Sequence, residues 1–420
     1  MPEQPAAQTT TLTAAPKAQR ETVDVLVSGG GIAGMIAAAA FGASGFKTLM
    51  VDPTPPVTVG DDHASDLRST AFLRPARDLF QRIGIWSALE PYATPLDALR
   101  IVDTVGADGI PSEIRTERQF EGTETGDEPF GWNFLNWQIR RELLAILPTI
   151  TNTEMRYGTG FKSLLTRTGE ALVTLTDGTQ VSAKLVIAAD GRNSPVREAA
   201  GIGVKTTRYG QKSLAFTAFH TLPHHNVSTE IYREGGPFTM VPLADIDGRH
   251  ASAIVWMNHG PRAVELLNME PDAFNAAMTE RSAGLFGTLE LASHRGIFPI
   301  ITQLADRLAA ERVAVIAEAA HVLPPIGAQG LNTSLNDLAQ LLDLASQSPA
   351  TLGDQKMLDT YAKTRHRDIA SRAFVVDKFN RVVREEDGLL NAIRLMGLKA
   401  VHDIKPVRMG VMKAGLGPLA

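Results

Sequence analysis

Val23-Asp24-Val25-Leu26-Val27-Ser28-Gly29-Gly30-Gly31-Ile32-Ala33-Gly34 is the stretch on which the fold turns. Its first half is β-branched and apolar, the pattern of a buried strand. A glycine run interrupts it, and the alanine-rich segment Met35 to Ser44 that follows reads as a helix. Thr48-Leu49-Met50-Val51-Asp52 is a second short strand, which Pro53 ends. Strand, glycine turn, helix and strand within about thirty residues make a βαβ unit. Gly29-x-Gly31-x-x-Gly34 therefore sits between a strand and a helix, the context that lifts a weak pattern to a strong one. Gly29 permits the tight turn, Gly31 lets a pyrophosphate approach the amides of the helix N-terminus, and Gly34 allows close helix–strand packing. Asp52, ending the second strand, is placed for the hydroxyls of an adenosine ribose. A glycine-rich turn with an incidental acid is the plainer alternative, and the flanking elements argue against it.

The chain has 420 residues, too many for one small core and enough for two ordinary domains. With 44% hydrophobic and 21% charged residues it is not a mainly disordered chain. The formal net charge of −5 offers no basic surplus for nucleic acid. The absence of cysteine excludes disulfides, thiolate metal sites and a cysteine nucleophile, so redox chemistry must come from a cofactor. His224 and His225 are adjacent with no ligand spacing to an acid, so no metal is expected. Residues 1–20, rich in Thr, Ala, Pro and Gln, read as a flexible tail without a signal-peptide pattern. No apolar run approaches the roughly 20 residues of a membrane span. The expected location is cytoplasmic.

Ser69 to Gly84 reads as a helix with Ala71, Leu73, Ala76, Leu79, Phe80 and Ile83 on one face, and Asn136 to Leu147 as another. Glu170 to Leu185 reads as a hairpin around Asp177-Gly178. Alternating segments Ser213–His220, Thr229–Arg233, Phe238–Leu243 and Ala251–Met257 predict an antiparallel sheet, with helices over Pro261–Ser282. Arg312–Ala317 returns to a buried strand and leads to a helix over Asn332–Ala345. Tyr361 to Ala420 carries twelve Lys/Arg against six Asp/Glu, and Leu389, Leu390, Ile393, Met396 and Ala400 fall at helical spacing. That segment reads as a helix docked on the nucleotide domain, its excess positive charge suited to an anionic membrane face or partner subunits.

One glycine fingerprint cannot separate a nicotinamide enzyme from a flavin enzyme; two downstream stretches can. Leu185-Val186-Ile187-Ala188-Ala189-Asp190-Gly191 ends a strand in Asp-Gly, and Val313-Ala314-Val315-Ile316-Ala317-Glu318 ends another in an acid. Pro324-Pro325-Ile326-Gly327-Ala328-Gln329-Gly330-Leu331-Asn332 then opens a helix. With Asp66-Leu67-Arg68-Ser69-Thr70-Ala71, these resemble the single-component FAD aromatic hydroxylases of the p-hydroxybenzoate hydroxylase type, and most of all the ubiquinone-biosynthesis hydroxylase branch. The likeness runs from Val23 to about Arg384.

The resemblance implies an α/β fold: a doubly wound, Rossmann-like FAD-binding domain with an inserted antiparallel-sheet substrate domain and a C-terminal helical segment. The FAD-binding domain would comprise 21–95, 130–200 and 305–360, the substrate domain 96–129 and 205–304, and the C-terminal segment 361–420. It implies that Gly29, Gly31, Ile32, Ala33, Gly34 and Asp52 hold the ADP half of FAD. Arg68, Asn136 and Arg140 would serve the pyrophosphate and ribityl region, and Asp190 and Gly191 the pyrophosphate and the route to NAD(P)H. Glu318 would meet a ribityl hydroxyl, and Gly327, Gly330, Leu331 and Asn332 the edge of the flavin ring. Ala317-Glu318 departs from the family's usual Gly-Asp, which adds a methyl at a tight crossing and keeps the charge.

His321 and Pro325 are the catalytic candidates, although a His at a strand–helix junction is more often structural. Asp66 reads as a local loop or capping contact, and Trp132 and Trp137 as core. The implied reaction is hydroxylation of a (poly)prenylated phenol or quinone precursor with NAD(P)H and O2. A peripheral contact at the inner membrane face and assembly with other ubiquinone-biosynthesis proteins are further expectations. The rivals are an accessory subunit with the fold but little turnover, an FAD-dependent prenyl reductase, and a plain nicotinamide dehydrogenase, disfavoured by the Asp190-Gly191 and Glu318 motifs.

Overall fold

The computed structural model describes residues 20–105, 112–233, 235–384, 410 and 412. The predicted tail, save Arg20, and the Leu389–Ala400 stripe lie outside them. Arg20–Ser28 occupies the middle of an eight-stranded sheet, between parallel neighbours Gln180–Ala188 and Thr48–Asp52. Val313–Val315 pairs parallel with the first neighbour and Thr153–Tyr157 with the second. Parallel strands are covered on both faces, which is why these read as unbroken apolar runs; Val25, Leu26 and Val27 are fully buried. The hairpin Glu170–Leu175 with Gln180–Ala188 forms as the Asp177-Gly178 turn predicts.

The register decides where the motifs meet. Ser28 lies opposite Val51 and Ala188, and Ala188 opposite Val315. Three strand ends widely separated in sequence thus open at one carboxyl edge, where such sheets bind ligands. The helix Ile32–Ala43 is buried from Met35 to Gly42, packed between the sheet and the helices Asn136–Ile146 and Gln329–Gln347. Its alanines permit that three-sided approach.

A nine-stranded sheet is built from Ala98–Val105, Glu113–Glu121, Val204–His220, Val227–Arg233, Gly236–Ile246, Arg249–His259, Leu289–Leu291, Gly296–Ala305 and His321–Val322. It departs from the antiparallel expectation at one place: Val227–Arg233 runs parallel to Ala98–Val105. No hairpin joins these two strands, so no turn forces them antiparallel. The sheet is two-faced, with a period of two. Val102, Ile231, Phe238, Met240, Ile254 and Trp256 form a core with Ala263, Leu266, Phe274 and Met278 of the helices Gly260–Asn268 and Pro271–Arg281. Their neighbours along each strand point the other way.

The helix expected over Ser69–Gly84 is shorter. Ser69–Leu73 is a strand of a small sheet with Gly131–Leu135 and Thr94–Leu96, and the helix is Arg74–Arg82. Pro75, lacking an amide hydrogen, sits in the first turn of the helix and marks the break. The last described helix, Gln355–Arg384, covers the start of the C-terminal segment.

Candidate active site

At the carboxyl edge the three glycines of the first motif do three different things. Gly29 has φ +113, and a Cβ there would stand 2.3 Å from the Ala189 carbonyl oxygen. A Cβ on Gly34 would stand 1.9 Å from the Gly29 oxygen, so that glycine exists for packing. A Cβ on Gly31 would meet nothing within 4 Å: this glycine faces open space at the N-cap of Ile32–Ala43. That helix start has no side-chain cap and no acid in its first turn, leaving its amides free for an anion. Asp52 accepts the Gly30 amide at 2.6 Å and the Thr54 amide at 2.8 Å, which stiffens the turn and fixes the carboxylate at its rim.

Asp190 is held through one oxygen only, by the Ser28 hydroxyl at 3.2 Å and the Val196 amide at 3.3 Å. Its Oδ1 is buried without a hydrogen-bond partner among the described residues. Burial pushes the Asp190 pKa up, and the neighbouring Ser194 hydroxyl, Val196 amide and Ser28 hydroxyl pull against it. Arg197 connects this segment to the next motif, donating through Nη1 to the carbonyls of Arg192 and Ala319, both at 2.9 Å. There Ala317 has φ 55, the left-handed region that favours glycine, so the departure from Gly-Asp falls on a strained residue. Beside it Glu318 is exposed.

Asp66 makes the local loop contact expected from the sequence, accepting the Arg68 amide at 3.2 Å, and is also a hub on which Arg68, Asn136 and Arg140 converge. Arg68 donates to both carboxylate oxygens at 2.8 Å, and Asn136 Nδ2 and Arg140 Nη2 to Oδ2 at 3.0 Å. Burial alone would raise this carboxyl's pKa. The Arg68 fork and charge, the Arg140 charge and the Asn136 amide outweigh burial and hold it at about 2. Thr70 donates to Asn136 Oδ1 at 2.7 Å, so the amide's orientation is set from both ends.

The return segment carries the rest. Gly327 and Ala328 both have positive φ, 64 and 54, turning the chain into the helix Gln329–Gln347. The Asn332 side chain is occupied by backbone, donating to Ala71 O at 2.7 Å and Ala328 O at 2.8 Å and accepting the Leu73 amide at 3.0 Å. His321, 2% exposed, donates through Nε2 to the fully buried Asp337 at 2.6 Å, whose other oxygen accepts from Arg365 at 2.7 Å. His321 Nδ1 is buried with no partner among the described residues.

One cavity of 1410 Å³ takes in nearly all of these groups. It is lined by Gly29, Gly31, Ile32, Ala33, Asp52, Arg68, Asn136, Arg140, Asp190, Gly191, Glu318, Gly327, Gly330 and Leu331, and by His321 and Pro325. Gly34 and Asn332 do not line it; they hold its walls. From the nine-stranded sheet, Leu99, Ile101, Ser228, Glu230, Tyr232, Thr239, Val241 and Val255 form the facing side. The volume exceeds the roughly 300–1,000 Å³ of a drug-sized site, room for an extended cofactor and a second molecule.

A family model described as "FAD binding domain" matches residues 22–374. The chain belongs to the FAD-binding domain family. Its relatives include the ubiquinone hydroxylase UbiL of Rhodospirillum rubrum, 27% identical over 95% of this chain and 90% of the relative. The 3-demethoxyubiquinol 3-hydroxylase of Escherichia coli is 23% identical over 94% and 99%. Among solved structures, the p-nitrophenol 4-monooxygenase PnpA of Pseudomonas putida DLL-E4 superposes with a TM-score of 0.76 at 17% identity, covering 95% of this chain and all of that one. The Diels-Alderase PyrE3 superposes at 0.70 with 20% identity, covering 95% and 81%. At such identities the likeness establishes the fold, and two chemistries on one fold leave the reaction to the site.

The family's cofactor is FAD, and the residues present fit it. The open approach over Gly31, the free helix amides and the buried orphan oxygen of Asp190 are the surroundings a dinucleotide needs. Sequence reasoning missed the Asp66 hub, the Arg197 clamp, the Asp337–Arg365 support of His321, and Glu230 with Tyr232. The Asp66-x-Arg68 spacing was a usable signal for the first and Glu230-x-Tyr232 on one strand for the last; the other two depend on pairing across the fold.

Proposed function

We propose that the protein is an FAD-dependent monooxygenase that hydroxylates the aromatic ring of a lipophilic, prenylated phenol or quinone precursor in ubiquinone biosynthesis, using NAD(P)H and O2. The observation that carries this reading is the single cavity shared by the two large sheets. One end has the glycine turn, Asp190 and the return loop; the other has an apolar wall of Leu99, Ile101, Val241 and Val255. Relatives named as ubiquinone hydroxylases support the substrate class.

Bound FAD supplies the redox chemistry, taking a hydride from NAD(P)H and with O2 providing one oxygen atom to the ring and one to water. The chain supplies position and environment. Gly31 and the first amides of Ile32–Ala43 would receive the pyrophosphate, Asp52 the adenosine ribose, and Arg68, Asn136 and Arg140, oriented by Asp66, the ribityl side. Asp190 and Glu318 would accept hydroxyl hydrogens from the cofactor. Gly327, Gly330 and Leu331 would present backbone amides to the flavin edge, where partial positive charge stabilises an anionic ring. The apolar sheet wall excludes water from the reacting ring. The eight-stranded sheet would form the FAD-binding domain (21–95, 130–200, 305–360), and the nine-stranded sheet the substrate domain (96–129, 205–304).

No helix among the described residues is long and apolar enough to cross a membrane. A polyprenylated substrate lives in the bilayer, so a peripheral contact at the inner membrane face and assembly with other ubiquinone-biosynthesis proteins belong to the same proposal.

Visible absorbance of the purified protein, taken before and after desalting with added FAD, is the first test. Oxygen uptake with 2-geranylphenol and NAD(P)H is the second. Retained flavin bands and a product heavier by one oxygen atom are expected. A colourless protein that fails to bind FAD would overturn the reading in favour of an accessory subunit; saturation of the prenyl double bond without oxygen uptake would favour the reductase.

A further inference from the structure

Ser228, Glu230 and Tyr232 alternate along Val227–Arg233 and all line the cavity. The wall about them is apolar, with Leu99 and Ile101 on one neighbouring strand and Val241 on the other. Glu230 is 8% exposed. A carboxyl on such a wall is retained against a desolvation penalty that a leucine there would not carry. Its hydrogen bond is specific: the Tyr232 hydroxyl donates to Glu230 Oε2, and the Gly327 backbone amide is near enough to favour the charged carboxylate. The pair thus faces the return loop, which lines the same cavity.

We propose that Glu230 and Tyr232 act as a pair that takes the proton from the ring hydroxyl of the substrate, an assignment that rests on the hydroxylase reading above. The O–H bond of the substrate breaks and its electron pair stays on the ring oxygen. The proton passes to the Tyr232 oxygen as the Tyr232 proton passes to the Glu230 carboxylate. The products are a phenolate, an intact tyrosine and a neutral carboxylic acid, so charge and protons balance. The phenolate pushes electron density onto the ring carbons ortho and para to it, where an electrophilic oxygen adds.

The electrostatics suit a base. Burial pushes the Glu230 pKa up, while the Tyr232 hydroxyl and the Gly327 amide draw it down. A carboxyl raised in this way is a better match for a phenol than an ordinary one. The charged and titratable groups around the pair are few. Asp103 lies across the strand from Tyr232 and pairs with Arg115 at 2.6 Å. Arg100, on that neighbouring strand, donates to Thr229 of the pair's own strand. Glu318, His321 and Lys378 line the cavity from the return segment and the last helix.

The test uses full-length FAD-loaded protein with 2-geranylphenol as probe, comparing wild type with Glu230→Gln and Tyr232→Phe. Under nitrogen and without NAD(P)H, ultraviolet difference spectra report the pH at which the bound phenol ionises. In wild type it should ionise about two pH units or more below the free probe, whose hydroxyl resembles that of tyrosine, near pH 10. In either variant it should ionise within about one unit of the free probe. At neutral pH kcat should fall about 10²- to 10⁴-fold and recover as pH approaches that of the free phenol, with KM within about threefold. Variants that keep the wild-type ionisation pH and pH–rate profile overturn the assignment while leaving the hydroxylase reading intact. Wild-type protein that retains FAD but neither binds nor hydroxylates the probe overturns both. If Glu230→Gln fails to fold, Tyr232→Phe, which loses one oxygen and keeps the ring, decides by the same readouts.

Discussion

Replacing Asp66 by asparagine removes the one negative charge that Arg68, Arg140 and Asn136 share. The carboxyl is 9% exposed, but the Arg68 side chain that meets it is 42% exposed, so solvent screens part of the interaction. Its pKa stands at about 2 in place of 3.8. At 1.36 kcal/mol per pH unit, that depression corresponds to about 2 kcal/mol of stability at neutral pH. The sign follows from the folded carboxyl being the stronger acid. The stabilisation is complete above the unfolded pKa near 4 and is lost as pH falls through the folded value near 2. Urea denaturation of wild type and Asp66→Asn at pH 7 should therefore differ by about 2 kcal/mol or slightly more, two cations being left facing a neutral amide. At pH 2.5 the difference should fall to less than half. FAD affinity, measured by flavin fluorescence, should drop with it as Arg68 and Asn136 lose their common anchor. A variant within about 0.5 kcal/mol of wild type at pH 7, or a difference that does not change with pH, would refute the view that this hub is electrostatic.

Gly31→Ala and Gly34→Ala should separate a ligand-facing glycine from a packing one. The first adds a methyl to open space at φ −72 and should leave the urea midpoint unchanged while weakening FAD binding tenfold or more, about 1.4 kcal/mol. The second drives a methyl to 1.9 Å from the Gly29 oxygen and should destabilise the fold by about 1–3 kcal/mol. Ala317→Gly should relieve about 1–2 kcal/mol of left-handed strain, offset by roughly 0.4–1 for a freer unfolded chain and about 0.8 for a lost buried methyl. Its thermal midpoint should stay close to wild type, whereas the β-branched Ala317→Val should be clearly destabilised. Asp190→Asn should be as stable as wild type or more so at pH 7. Burial raises this carboxyl's pKa, so its stabilising neutral form is present below about pH 4 and lost as pH rises; the variant's advantage in urea should vanish near pH 3.

Local physics made much of this protein legible in its sequence. An unbroken β-branched run, a glycine turn and an alanine helix can satisfy their backbone and bury their surface in few ways, so the βαβ unit and the free approach over Gly31 followed from nearest neighbours. The hairpin at Asp177-Gly178 and the helix at Asn136 are of the same kind. Ser69–Leu73 was misread because its apolar residues suit a helix face as well as a strand face; pairing with Gly131–Leu135 decided between them.

Long-range contacts settle which distant groups share a charge or a wall. Asp66 gathers partners up to 74 positions away, Arg197 spans 122 positions to Ala319, and the Glu230 carboxyl meets the Gly327 amide. Beyond the Asp66-x-Arg68 spacing, none of these long-range contacts has a periodicity or a spacing rule behind it. Each arises because sheet register brings strand ends together, and burial at that junction then favours pairing of the charges it encloses. The sequence determined the elements and the glycine cradle, for those depend on the chain's own short-range sterics. The partners of its buried charges depend on long-range register, which no local pattern encodes.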